Sequence, residues 1–120
     1  MPEINKFLKE CRLLCEHQFR EVLAYNQPLK GRLFVVYPRP NTIAFSRLGL
    51  IVSKKNCRLS VLRNRLKRHV REFFRLNHKQ LKGYDIVVVA RHKAQEAQPC
   101  ELRHCLDRLF KQLAMLGKKV

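Results

Sequence analysis

Apolar residues recur at steps of three and four through Leu62, Leu66, Val70 and Phe73, with Phe74 beside them and Asn77 continuing the step. At about 100° per residue these positions share roughly a third of a helix circumference. Asn64, Lys67, Arg68, Arg71 and Arg75 fall together on another face, with Arg63 near the boundary and Arg65 on the far flank. The pattern predicts one helix beginning at about Ser60, a candidate N-cap, and ending before Gly83. Its apolar side must be buried, and its cationic side must meet something.

The rest of the chain is read in the same way. Residues 16–25 form a short helix with Phe19, Val22 and Leu23 on one face and Glu16 in the first turn. Cys15 stands where a cap would be, and Gln18 three residues on suits a capping box. Pro28 stops this helix. GRLFVVYP, residues 31–38, is branched and aromatic and reads as a strand bounded by Pro38 and Pro40. By period two, Leu33, Val35 and Tyr37 share one face and Phe34 and Val36 the other. Residues 42–53 read as a second strand, bent at Gly49, and a hairpin is the simplest link between the two. The continuous run Ile86–Val89 in YDIVVVAR predicts an interior strand. A polar loop, HKAQEAQ, leads to Pro99, which suits the first position of a helix. Leu102, Cys105, Leu106, Leu109, Phe110, Leu113 and Leu116 give that helix an apolar stripe, and Gly117 closes it. The fold class is α+β, a two-layer sandwich in the order α-β-β-(β)-α-β-α. With no repeat and no linker, residues 1–120 make a single domain, with 1–11 and 117–120 loosely ordered.

Charge sharpens the picture. Lys and Arg number 26 against nine Asp and Glu, for a net +17 over 120 residues. No acid lies between Glu21 and Glu72, where twelve Lys and Arg stand. A folded domain so charged repels itself until an anionic partner neutralises it, and nucleic acid is the first candidate. A membrane is a poor second, because no apolar run approaches the roughly 20 residues of a span. The N-terminus carries acids and bases where a signal peptide needs an apolar run, so a cytoplasmic protein is expected. Five cysteines in such a chain imply reduced thiols.

Catalytic chemistry finds few candidates. Asp85 and Asp107 have no acidic partner within motif distance, so the acid clusters that bind magnesium are absent. His92, Cys100, His104 and Cys105 match no standard zinc spacing, and Cys105 lies on an apolar stripe. No catalytic residue and no metal ligand is assigned. Binding is better supported. Arg suits bidentate phosphate contacts and Lys point-charge contacts, while Asn64 can donate and accept. Phe19, Phe34 and Tyr37 could stack bases as single-strand readers do, although such aromatics also serve as core. Charge and size alone equally fit a ribosomal or other structural RNA-binding protein without a role in cleavage.

The run VSKKNCRLSVLRNRLKRHVREFFR, residues 52–75, closely resembles the signature of the bacterial ribonuclease P protein subunit. Its core is Arg63-Asn64-Arg65, then Lys67-Arg68 and Arg71-Glu72, preceded by Lys54-Lys55. RLLCEHQFREVL resembles the family's first helix, GRLFVVYP and RLGLIVSKK its next strands, and YDIVVVAR the strand after the basic helix. The resemblance covers roughly residues 12–116. It implies a left-handed βαβ crossover and a monomeric protein that binds ribonuclease P RNA and precursor tRNA. The 5′ leader is then cut off by the RNA, whose bound Mg2+ does the chemistry, with no metal on the protein. Carried over by position, Lys54, Lys55, Arg63, Asn64, Arg65, Lys67, Arg68, Arg71 and Arg75 face the catalytic RNA. Phe19, Leu23, Val35, Tyr37 and Lys55 line a cleft for the leader. Leu23 stands where many members carry a second aromatic, and Cys57-Arg58-Leu59 where many have a glycine, so no contact is assigned to that loop.

Overall fold

Val35 and Val36 face Val89 and Val88 across an antiparallel ladder, and the sheet is built outward from this pairing. The structure, a computed structural model, describes residues 16–25, 27–41, 46–77 and 83–118. The expected features at Cys15, at residues 42–45 and between Asn77 and Gly83 lie outside these. In chain order the elements are α1 (Glu16–Tyr25), β1 (Leu29–Lys30), β2 (Phe34–Pro40), β3 (Arg47–Ile51), α2 (Ser60–Asn77), β4 (Tyr84–Ala90) and α3 (Pro99–Lys118). A short 3₁₀ turn, His92–Glu96, occupies most of the expected polar loop and buries Ala94.

The sheet order is β1-β2-β4-β3. β4 therefore lies between the two strands that sequence proximity would join, and the expected hairpin between β2 and β3 does not form. The reason lies in β4 itself. Asp85 through Val88 and Ala90 are buried, so both of its faces need cover, which a central strand obtains and an edge strand does not. It pairs antiparallel with β2, from Phe34↔Ala90 to Pro40↔Tyr84, and parallel with β3, from Arg47↔Asp85 to Ile51↔Val89. The parallel pair needs a crossover, and α2 supplies it. β2 runs past Pro38 to Pro40. β1 pairs only Val35 and Val36, so both prolines sit where that edge of β2 is unpaired among the described residues, a place where strands tolerate proline.

Alternation along the strands sends two clusters to opposite faces. Phe34, Val36, Leu48, Ile86 and Val88 pack with Leu66, Val70 and Phe74 of α2 and Leu102, Leu106, Leu109, Phe110 and Leu113 of α3. Phe73 meets Phe110 edge-on, with ring centroids 5.1 Å apart. Sheet and α2/α3 layer form the sandwich, and α1 crosses the other face, setting Val22 on Val87. Leu33 does not share a face with Val35 and Tyr37 as period two predicts. It precedes the strand in a bend and is buried in the α2/α3 core, beyond the reach of the alternation. Gly31 lets this bend lie against α3, since a Cβ there would stand 2.9 Å from Leu109 Cδ1.

Helix ends differ in detail from expectation. The Arg63 amide donates to the Leu59 carbonyl at 3.0 Å, so Leu59 takes the cap position and Ser60 is the first helical residue. At the far end Asn77 Nδ2 donates to the Phe73 carbonyl at 2.9 Å. α3 begins at Pro99 as expected, with Glu101 Oε1 accepting from the Gln98 amide at 3.0 Å. It passes through Gly117 to Lys118 instead of closing at the glycine.

Candidate nucleic-acid interface

With Leu66, Val70 and Phe74 buried, α2 turns its remaining circumference outward. Asn64, Lys67, Arg68, Arg71, Glu72 and Arg75 line a groove of about 380 Å³ along it. The spacing of three and four residues that buries one face assembles this one. Glu72 pairs with Arg75, whose hydrogen bond holds the carboxyl below its usual range. Among the described residues no carboxylate pairs with Lys67, Arg68 or Arg71. The groove thus keeps net positive charge at the pitch of one helix, suited to a polyanion's successive phosphates.

Arg63 and Arg65, which the period puts near the boundary and on the far flank, lie apart from the groove. Arg63 Nη1 turns back to the carbonyls of Cys57 at 3.1 Å and Arg58 at 2.8 Å. Arg65 Nη2 reaches the Ala97 carbonyl at 3.4 Å, in the lead-in to α3. Lys54 and Lys55 are exposed on the turn that follows β3. That turn is tied on several sides. The Cys57 amide donates to the Ser53 carbonyl at 2.9 Å, and Asn56 Nδ2 donates to the Ala90 carbonyl at 3.2 Å. Cys57 is 1 % exposed and belongs to the core. The burial of Cys57 and the tie through Asn56 were missed in the sequence; their signal was the one small apolar residue in a polar segment.

A second feature lies on the face that α1 crosses. Phe19, Leu23 and Tyr37 are half-buried around the Val22–Val87 contact, and Val35 is half-buried on the same face. Ile51 and Val89 join them, which strand parity in β3 and β4 could have indicated. Lys55 follows β3 by four residues. Among the described residues, the carboxylates of Glu21 and Asp85 on this face are neutralised. Glu21 takes Arg39 and His17, each at 2.6 Å. Asp85, 3 % exposed, takes Arg47 through two hydrogen bonds and Asn41 Nδ2 through a third at 2.8 Å. An apolar surface between α1 and the sheet, with its described acids paired, has the chemistry that suits a single strand of nucleic acid.

A cavity of about 670 Å³ lies elsewhere, between the β1–β2 bend and α3, where Cys100, His104, Cys105 and Arg108 are among its lining. Among the described residues no three His, Cys, Asp or Glu side chains converge as metal ligands, and no helix is long and apolar enough to cross a membrane.

A family model described as Ribonuclease P matches residues 7–114. The ribonuclease P protein component of Coxiella burnetii is 43 % identical over 108 residues, covering 90 % of this chain and 89 % of the relative. The solved RNase P protein of Thermotoga maritima superposes with a TM-score of 0.76 at 37 % identity, covering 84 % of this chain and 96 % of that one. That of Staphylococcus aureus gives 0.77 at 32 % identity, covering 84 % and 93 %.

Proposed function

From the premise that this chain belongs to the ribonuclease P protein family and is the protein subunit of that tRNA-processing ribonucleoprotein, we propose how its two surfaces divide the work. The α2 groove holds the RNA subunit, and the trough between α1 and the sheet holds the 5′ leader of precursor tRNA. The groove is the observation that carries this reading. Lys67, Arg68 and Arg71 neutralise RNA phosphates there, with Asn64 and Arg75 at its edges. Lys54 and Lys55 extend positive charge toward the trough, while Arg63 and Arg65 brace the flanks of α2 and keep N–H groups at its border. Phe19, Leu23, Val35 and Tyr37 offer leader bases an apolar surface.

In this reading Mg2+ is held by the RNA subunit and the substrate. The protein adds cations that lower repulsion between two polyanions, so fewer metal ions are needed to bring them together. It acts as one domain, as a monomer, in the cytoplasm. Reconstitution is the test: the purified chain, ribonuclease P RNA and labelled precursor tRNA are mixed at magnesium too low for the RNA alone. Release of the leader only when both are present is expected. RNA binding without stimulated cleavage would overturn the proposal in favour of a purely structural RNA-binding role.

A further inference from the structure

Arg65, His69 and Phe73 stand four residues apart on α2 and form one row along it. Both ends of this row meet α3 or its lead-in: Arg65 at the Ala97 carbonyl, 3.4 Å away, and Phe73 at the Phe110 ring. His69 therefore overlies the segment of α3 between those points. Arg103, seven residues before Phe110, lies there on the same side of α3. Its charge reaches the imidazole, as do those of Arg65 and Arg68. The neighbouring acids of α3 are engaged elsewhere. Glu101 is held by Arg32 and the Gln98 amide, and Asp107 pairs with Lys111. The seam between the helices thus gathers three guanidinium groups and an imidazole, and among the described residues no carboxylate forms an ion pair with any of them; Glu72, which shares the groove with Arg68, is held by Arg75. Arg103 and Arg68 are exposed.

We propose that Arg103 and His69, with Arg65 and Arg68, form a phosphate-binding cluster at the α2–α3 seam, so that the surface for the RNA subunit continues from α2 onto α3. This rests on the reading of α2 as the RNA-binding helix. The occupant is a backbone phosphodiester of the RNA subunit. A planar guanidinium from each helix can grip its two free oxygens from opposite sides, and His69 supplies a further donor between them.

The test is equilibrium binding of the full-length chain to ribonuclease P RNA across a salt series. Arg103→Ala is expected to weaken binding several-fold and to flatten the slope of log affinity against log salt by about 0.7–0.9, the value of one phosphate contact. Arg103→Lys is expected to retain the slope. Arg108→Ala, also exposed on α3 but lining the cavity away from the seam, serves as reference and is expected to leave the slope unchanged. If Arg68→Ala flattens the slope while Arg103→Ala matches Arg108→Ala, the seam is overturned and the α2 reading stands. If Arg68→Ala also changes nothing, the α2 reading falls first. Should Arg103→Ala spare RNA-subunit binding but weaken precursor tRNA binding by the holoenzyme, the phosphate belongs to the substrate and the proposal is wrong.

Discussion

Arg47 and Asp85 oppose each other across the parallel pair β3–β4, joined by hydrogen bonds of 2.8 Å from Nε and 2.6 Å from Nη2. The carboxylate is almost fully buried beneath the trough assigned to the leader. Removing its charge leaves Arg47 facing a neutral partner in a partly dry site. Asp85→Ala is expected to destabilise the fold by about 3 kcal/mol, the low end for breaking a buried pair because Arg47 keeps some solvent. A urea titration followed by circular dichroism measures it, and a loss within 0.5 kcal/mol would mean the pair is solvated.

The two sides of α2 make opposite forecasts. Phe74 is fully buried, so Phe74→Ala is expected to cost about 3–5 kcal/mol through lost burial and the cavity left behind. Arg68→Ala removes an exposed side chain and is expected to change stability by no more than about 0.5 kcal/mol. Its effect belongs in RNA affinity, read by filter binding. Thermal melts that rank the two variants the other way would invert the assignment of faces.

Arg63 links helix and turn. With its guanidinium gone, the carbonyls of Cys57 and Arg58 lose their donor, at an expected cost of about 1 kcal/mol. Arg63→Ala should also speed hydrogen exchange at the Cys57 amide and weaken RNA binding through a looser Lys54-Lys55 turn. Faster exchange with unchanged affinity would separate the turn from RNA contact.

His69 carries a pH signature. Burial, then the charges of Arg65, Arg68 and Arg103, hold its pKa below 6.5 in the folded protein. Glu72, three residues on, is occupied by Arg75. In the unfolded chain the imidazole takes up its proton near 6.5, before the folded protein does. The free protein is therefore expected to lose stability as pH falls from 6.5 through the lowered value, with His69's full contribution present above 6.5. His69→Gln should flatten that dependence in denaturant melts. A bound phosphate reverses the preference, so RNA affinity should rise over the same range and the complex should take up a proton. Parallel pH profiles for both proteins would remove His69 from the seam.

Magnesium gives a further expectation. Cleavage rate against magnesium concentration should shift to lower magnesium when the protein joins the RNA. Coincident curves would remove charge neutralisation from its role.

The amphipathic period of α2 and α3 was legible because burial of Leu66, Val70 and Phe74 follows from helix geometry alone. So was the interior place of Ile86–Val89, whose side chains are apolar on both faces. Strand order was not. Side-chain pattern says which face is dry but not which backbone amides meet, so proximity in sequence suggested a β2–β3 hairpin that β4 displaces. β1 is only two residues long, too short to carry a period. At the site, period set Arg63 at the boundary and Arg65 on the far flank, and only the family resemblance grouped them with the RNA-facing residues. Their long side chains then fold back to backbone carbonyls, a choice that depends on where the Cys57 turn and the Ala97 segment come to rest. Period located the helix and its cationic face; the resemblance in residues 52–75 supplied a partner for that face, and the fold showed what holds Arg63 and Arg65 at the flanks.

The insertion of β4 between β2 and β3 also sets an order of events during synthesis. Phe34 must wait for Ala90 to leave the ribosome before the central ladder can close, and β3 must wait for the same strand. Such distant pairings close slowly, because a long loop must be ordered before they contribute. α2 emerges complete while its strand partner is still unmade. For that interval the nascent chain presents a cationic helix, with its apolar stripe uncovered, in a cell full of RNA. On the proposed reading of the groove, a polyanion that meets it then stabilises the helix in advance of the sheet, so the partner that the finished protein serves would also act as a template for its folding.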